Sequence, residues 1–285
     1  MMSYTNNHDL PDWVFAALTN SRYQRGAKPS DISVTRLIDS PMINRLQQKH
    51  KGEIVEEAID QVYSTLGSGV HYWFELAGEK CPIKTEERLY ADIAGKTLSG
   101  QYDVYCNEQM LWDVKVTSAW TIVRGEPKWV KQLNCLAWLA RQNGYEVKGL
   151  RILAILRDWQ RMKSREKGYP SFPLQIVEIP MWDDEKCERY ITHRMEEHFG
   201  NMDVLPSCTA DERWLQETTY AVKKDGRKSA LKVCDTMDKA EGFIEGHKDA
   251  KKLSVEVREG VARRCADYCN VSKWCPIFKN DLTSS

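Results

Sequence analysis

A chain of 285 residues that is 42% hydrophobic, with ten tryptophans and twelve tyrosines, is long and apolar enough to bury one sizeable core plus attachments, which excludes a disordered protein. Forty-one basic side chains balance forty-one acidic ones, so no global positive field exists and any surface for a polyanion has to be local. No apolar run reaches the ~20 residues of a membrane span. The start, Met1-Met2-Ser3-Tyr4-Thr5-Asn6-Asn7-His8, lacks the charged and hydrophobic regions of a signal peptide, so a cytoplasmic protein is expected.

Residues 1 to about 30 read as a polar, weakly ordered lead-in. Residues 31–75 read as helical, with Ser33 or Thr35 as caps and Pro41 breaking one helix before the next. Within them lies Leu66-Gly67-Ser68-Gly69-Val70-His71-Tyr72-Trp73-Phe74-Glu75, a helix expected to start after the glycines. His71 and Glu75 stand four apart there, so both can reach one cation.

Two or three strands are expected over residues 84–117, and they carry the most chemical pattern in the chain. Gly100-Gln101-Tyr102-Asp103 precedes Leu111-Trp112-Asp113-Val114-Lys115. Strand alternation points Asp113 and Lys115 one way and Trp112, Val114 and Val116 the other, which predicts a charged face and an apolar core face. A turn near Cys106-Asn107-Glu108-Gln109 brings Asp103 opposite Asp113, with Cβ atoms ~5 Å apart. Two ionised carboxylates that close repel, so one holds a proton or a cation lies between them. A hard divalent ion, Mg²⁺ or Mn²⁺, suits such oxygen ligands.

Residues 128–143 predict an amphipathic helix through Val130, Leu133, Leu136, Ala137 and Ala140, ending at Gly144. Strands over 147–156 and 172–179 flank a polar loop, 158–171, expected to project from the sheet, and 183–199 reads as a helix. The sum is an α/β core over residues 31–200, a mixed central sheet flanked by helices. Basic stretches at 157–167 and 223–228 are candidate nucleic-acid surfaces.

Residues 201–285 form a separate C-terminal region. A small ββαβ excursion is expected over 217–260, its first two strands joined by a turn at Asp225-Gly226, with a helix at 238–247 and a last strand at 253–257. The region contains Cys265-x-x-x-Cys269-x-x-x-x-x-Cys275, three thiols within eleven residues. A closed tetrahedral site or a cubane cluster needs a fourth ligand, and Cys208 is the choice, because the excursion can return the chain close to where it left. Nine cysteines, an odd number in a reducing compartment, argue for metal ligation or packing over a disulfide frame. Cys106, Cys135, Cys187 and Cys234 are expected to fill space.

The order of His71 after a Gly-rich helix, Asp103 in Gly-x-x-Asp, Asp113 and Lys115 in Asp-x-Lys, and Gln132 on the next helix resembles the PD-(D/E)XK nuclease superfamily. Within it, the order is similar to the RecB-like branch of phage exonucleases and CRISPR-adaptation nucleases. The matching pieces span roughly residues 66–136. The resemblance implies a restriction-endonuclease-like core and a Mg²⁺- or Mn²⁺-dependent phosphodiesterase, an exonuclease in preference to an endonuclease. It further implies a phage-encoded enzyme in the cytoplasm of a bacterial host cell, processing ends of linear single- or double-stranded DNA for recombination or repair. A phage recombination or single-strand annealing protein is the partner so implied.

The same resemblance implies residue roles. His71, Asp103, Asp113 and the backbone carbonyl of Val114 hold the metal, Lys115 orients the attacking water, and Gln132 contacts DNA or helps set the site. Glu75 and Glu87 are supporting candidates around those ligands. Leu136 stands where relatives carry tyrosine, a departure from the pattern. The cysteine tail resembles the iron-sulfur staple of AddB-type nucleases, in which the last two cysteines are also separated by five residues. The first gap holds three residues where that family has two. This implies a structural [4Fe–4S] cluster over Zn²⁺, stapling the C-terminal segment. Cys81 rivals Cys208 as fourth ligand, because CRISPR-adaptation relatives take one cysteine from upstream of the core. Two other readings stand beside this one: a non-catalytic nucleic-acid-binding module on the same fold, and an endonuclease or RNA-directed enzyme using the same site.

Overall fold

Residues 3–20, 28–201 and 204–278 are described in the computed structural model, and the chain divides into two units, residues 1–206 and 207–285. In the first unit β1 (Ser3–Thr5) is followed by α1 (Asp12–Thr19), so the stretch expected to be a weakly ordered lead-in carries regular structure. β2 (Ile32–Ser33) leads into α2 (Val34–Leu37), capped by the Ser33 side chain, which accepts a hydrogen bond from Arg36 N. Ser40 accepts from Ile43 N and caps α3 (Pro41–Lys49). Pro41 therefore opens a helix, where its missing N–H costs nothing, and does not break one. β3 (Val55–Glu57) pairs in parallel with β1. α4 (Val62–Ala77) starts well before the glycines and runs through Gly67 and Gly69, contrary to the expected start after them.

The remaining elements of this unit are β4 (Ile83–Thr85), β5 (Arg88–Ile93), β6 (Lys96–Gln101), β7 (Val104–Cys106), β8 (Met110–Thr117), α5 (Ala119–Arg124), α6 (Pro127–Gln142), β9 (Gly149–Leu156), β10 (Leu174–Ile179) and α7 (Asp184–Phe199). A mixed sheet runs β10-β9-β8-β7-β4, in which only β8 and β9 are parallel. A smaller sheet runs β2-β6-β5. The mixed α/β class expected from the sequence is what the chain adopts. β6 and β7 are nearly continuous in sequence, and the break at Tyr102-Asp103 transfers the chain from one sheet to the other.

Helix α6 packs against both sheets, touching β5, β6, β8, β9 and β10. Its residues Leu133, Leu136, Ala137, Leu139 and Ala140 join Leu98, Leu111, Leu150 and Ile152 in one core. Gly100 makes the approach possible: a Cβ there would stand 2.6 Å from Leu136 Cδ2, 2.8 Å from Leu139 Cδ1 and 3.0 Å from Val34 Cγ2. The glycine of the Gly-x-x-Asp pattern is thus a packing residue, and Leu136 fills the space above it. The loop after β9 closes on itself instead of projecting. Trp159 Nε1 donates to Pro170 O at 2.9 Å, and the buried Tyr169 hydroxyl accepts from Gln160 N at 3.0 Å.

In the second unit α8 (Ala210–Arg213) opens on a capping box between Thr209 and Glu212. β11 (Thr219–Lys224), β12 (Lys232–Cys234), α9 (Met237–Glu245) and β13 (Leu253–Arg258) form a ββαβ arrangement, an antiparallel sheet in the order β12-β11-β13. α9 covers it through Ala240, against Val222 and Cys234. The strand ends meet where Gln216 N donates to Val261 O at 3.0 Å, and α10 (Arg263–Asp267) follows.

Gly100→Val should destabilise the protein by about 1–3 kcal/mol through overpacking beneath α6, read as a lower denaturant midpoint with an unchanged slope. Wild-type stability in that variant would show that the gap between β6 and α6 is not tight.

Candidate active site

The site forms where β6 gives way to β7. The β7–β8 register pairs Val104 with Trp112, and its continuation sets Asp103 across from Asp113. Asp103 does not lean toward its neighbour. Its Oδ2 accepts a hydrogen bond from Val114 N at 2.6 Å, and its Oδ1 lies 3.4 Å from His71 Nδ1 on α4. A charged hydrogen bond of that kind holds a carboxylate in one rotamer.

Asp113 is the buried member, 2% exposed. Lys115 Nζ lies 2.9 Å from its Oδ1 and 2.7 Å from its Oδ2, and Gln132 Nε2 on α6 donates to Oδ1 at 2.9 Å. Oδ2 accepts no hydrogen bond of ordinary geometry despite its contact with the ammonium. Burial pushes the Asp113 carboxyl up to about 6; the Lys115 ammonium pulls the other way and the Asp103 carboxylate adds to the rise. The expected division of β8 into a charged face and an apolar core face is corrected here. Leu111 and Asp113 share a face, Leu111 is fully buried in the core, and Val114 on the other face is 1% exposed. Helices α4 and α6 both contact β8, so neither face is the solvent side.

Glu86 is the residue that the sequence pattern missed. It sits between β4 and β5 in the left-handed region, φ 53°, and its Oε1 lies 3.4 Å from His71 Nδ1. Its Oε2 accepts from Gln101 Nε2 at 2.6 Å. One ligand atom each from His71, Glu86 and Asp103 lies within 4.8 Å of the others, the one group of three such donors among the described residues. The hydrogen bond to Asp103, then that to Glu86, pushes the His71 imidazole up to about 10 against the opposing effect of burial. The only signal for Glu86 was the acidic pair Glu86-Glu87 ahead of a strand, and a left-handed residue reverses which of the two faces inward. Glu87 turns instead to the hydroxyls of Tyr102 and Tyr145. Glu75 is exposed and outside the group.

A hard divalent cation fits these residues. An imidazole and two carboxylates converge, and beside them a buried carboxylate keeps one oxygen without a hydrogen bond. In the second unit Cys265, Cys269 and Cys275 lie near enough for the last two to raise the Cys265 thiol, after burial, which is the larger cause. No three cysteine sulfurs among the described residues lie within 4.8 Å of one another. A single zinc ion, with Zn–S near 2.3 Å, would draw its thiolates to about 3.8 Å apart. Cys208 is half-buried, and Cys81, in the first unit, is exposed.

The two basic stretches differ. Lys223 and Lys224 are ion-paired with Glu256 and Asp249, so they offer little free charge. Arg161, Lys163, Arg165 and Lys167, in the loop after β9, form no ion pair among the described residues, while Arg157 stacks over the Tyr63 ring at 4.6 Å. No helix among the described residues is long and apolar enough to cross a membrane.

No family model and no curated protein matches the chain. Among solved structures it is similar to SSO0001, with a TM-score of 0.45 and 19% identity over 66% of this chain and 86% of that one. It is also similar to the alkaline exonuclease LHK-Exo from Laribacter hongkongensis, with a TM-score of 0.36 and 12% identity over 59% of this chain and 92% of that one. The same enzyme in complex with dAMP gives a TM-score of 0.33 at 13% identity, over 60% and 92% of the two chains. None of these superpositions is close, so the chemistry rests on the geometry of the site itself.

In metal-free protein the His71 imidazole should hold its proton through neutral pH and release it near pH 10, followed by NMR. Because the folded value lies above the ordinary value of about 6.5, the stabilisation is complete below that pH and fades as pH rises toward 10. Asp103→Asn should return the titration toward ~6.5. A wild-type titration already near 6.5 would contradict the His71 contacts.

Proposed function

We propose that the first unit is a Mg²⁺- or Mn²⁺-dependent deoxyribonuclease that works from the ends of linear DNA. The observation that carries this is the buried Asp113, with one oxygen lacking a hydrogen bond and Lys115 beside it, next to the convergence of His71, Glu86 and Asp103. His71, Asp103, Asp113 and the Val114 carbonyl are the expected holders of the ion, and Glu86 joins them on its geometry. A divalent ion bound there supplies Lewis-acid polarisation of the scissile phosphate and a water whose pKa is lowered toward ~7.

The protein's own groups do the rest. The Val114 N–H fixes Asp103 through one oxygen, so its other oxygen stays aimed toward His71. Gln132 fixes Asp113 from α6, which makes it a positioning residue in this reading. Lys115 is a quarter exposed and touches both Asp113 oxygens. From that position the ammonium would orient the attacking water and meet charge developing on the phosphate. The unpaired cations of the loop after β9 are the local surface for the DNA backbone.

The finer reading is a phage-encoded enzyme for end resection in recombination or repair, acting with a recombination or annealing protein. It is supported by the order of motifs and not by the geometry. For the second unit we propose a structural [4Fe–4S] cluster on Cys265, Cys269, Cys275 and Cys208, with Cys81 as the rival fourth ligand. The spacing of Cys269 and Cys275 in the sequence supports it over zinc.

Wild-type protein with Mg²⁺ or Mn²⁺ should release nucleotides from linear DNA, leave covalently closed circles intact and spare RNA. Asp113→Ala and Lys115→Ala should each lower the rate at least about 100-fold. Equal behaviour of wild type and Asp113→Ala would favour a binding module, and cleavage of closed circles an endonuclease.

Anaerobically purified protein should show broad brown absorbance that is lost in the Cys275→Ala variant. A colourless sample with stoichiometric zinc would reverse the choice of metal.

A further inference from the structure

The half-buried network on the far side of the Glu86-Glu87 pair is not used by the chemistry above. Glu87 Oε2 accepts two hydrogen bonds, from Tyr102 Oη at 2.6 Å and from Tyr145 Oη at 2.5 Å. Tyr145 Oη in turn accepts from Lys84 Nζ at 3.0 Å. The rings of Tyr102, Tyr105 and Tyr145 meet edge to face or tilted, with centroids 5.0–6.3 Å apart, and Tyr105 Oη donates to Glu146 O at 2.7 Å. Tyr102 is 1% exposed.

The placement of this network gives it meaning. Glu87 follows Glu86, and Tyr102 precedes Asp103. Glu86 N donates to Asp103 O at 3.1 Å, and Tyr102 N donates to Glu87 O at 3.3 Å. Two short segments, each with a site carboxylate and a network residue, are thus clamped backbone to backbone and side chain to side chain. Glu86 is a non-glycine residue in the left-handed region, a strained conformation that persists only where its surroundings enforce it. Tyr145 arrives from the end of α6, where Gly144 at φ 83° turns the chain and Tyr145 N bonds to Ala140 O. The clamp is therefore referenced to the same helix that carries Gln132.

We infer that Glu87, Tyr102 and Tyr145 form a latch that holds Glu86 in its left-handed backbone, and so positions a third protein ligand for the divalent ion. This rests on the proposed metal site at His71, Glu86 and Asp103. Glu87, Tyr102 and Tyr145 are positioning residues, since Glu87 turns to the two hydroxyls and away from the ion that Glu86 would touch.

Isothermal titration of the whole chain with Mn²⁺ tests the latch. Glu87→Ala should weaken binding about tenfold, the scale for removing a partner that orients a ligand. Glu87→Gln should retain wild-type affinity, because both hydroxyls donate to one oxygen that an amide carbonyl can replace. Tyr145→Phe, which removes one hydroxyl from a partly exposed ring, should show a smaller loss and carries the test if Glu87→Ala does not fold. The thermal midpoint of metal-free Tyr145→Phe should match wild type, which separates positioning from general stability. Unchanged Mn²⁺ affinity in both Glu87→Ala and Tyr145→Phe would overturn the latch and leave the metal site standing. Equal weakening by Glu87→Gln and Glu87→Ala would also overturn it, since negative charge would then be the cause. If wild type binds no Mn²⁺, or Glu86→Ala binds it equally well, the metal site itself fails and the latch with it.

Discussion

Burying the Asp113 carboxylate beneath α6 is the constraint around which the first unit is arranged. A lone ionised carboxylate in such a place carries a desolvation cost of several kcal/mol, and the protein offsets it with one amide and one ammonium that touches both oxygens. Both offsetting groups depend on packing elsewhere. Gln132 reaches Asp113 only because α6 lies close to the sheets, and that closeness depends on the missing side chain at Gly100. A packing detail on β6 thus controls the electrostatics of β8.

The second carboxylate is handled in the opposite way. Asp103 accepts from a strand amide and lies 3.4 Å from an imidazole whose pKa it raises. The two acids consequently sit in different surroundings: burial draws Asp113 toward its neutral form, while Asp103 is held by the Val114 amide and faces His71. Environments that separate neighbouring carboxylates in this manner are a usual source of divided chemical roles. His71 Nδ1 lies 3.4 Å from both Glu86 Oε1 and Asp103 Oδ1, so those two acidic groups favour the charged form of its imidazole.

Much of the architecture was legible in the residues. The spacing of Leu133, Leu136, Ala137 and Ala140 marked α6 to within a residue or so, and the runs that became β9, β10 and α7 were equally plain, because periodicity reports directly on which side chains are buried. Other features were not legible, each for a physical reason. The pairing of β1 with β3 is a contact between short strands some fifty residues apart, with no local signature. The two faces of β8 could not be told apart, since alternation says which residues share a face but not what covers it. Glu86 was hidden by parity: one left-handed residue at a strand junction exchanges inside for outside, and only geometry reveals it. The roles of the cysteines rest on spacing alone.

Neutralisation within the second unit has a consequence for ionic strength. Glu256 and Asp249 cancel Lys223 and Lys224, while Arg161, Lys163, Arg165 and Lys167 in the loop after β9 form no ion pair among the described residues. A polyanion engaging that loop would displace at most about four condensed counterions, each contributing roughly 0.9 to the logarithmic salt slope on duplex DNA. Its grip would still fall on the order of 100-fold between about 50 and 200 mM salt, so retention on a long strand would depend on the ionic atmosphere as well as on the shape of the contact.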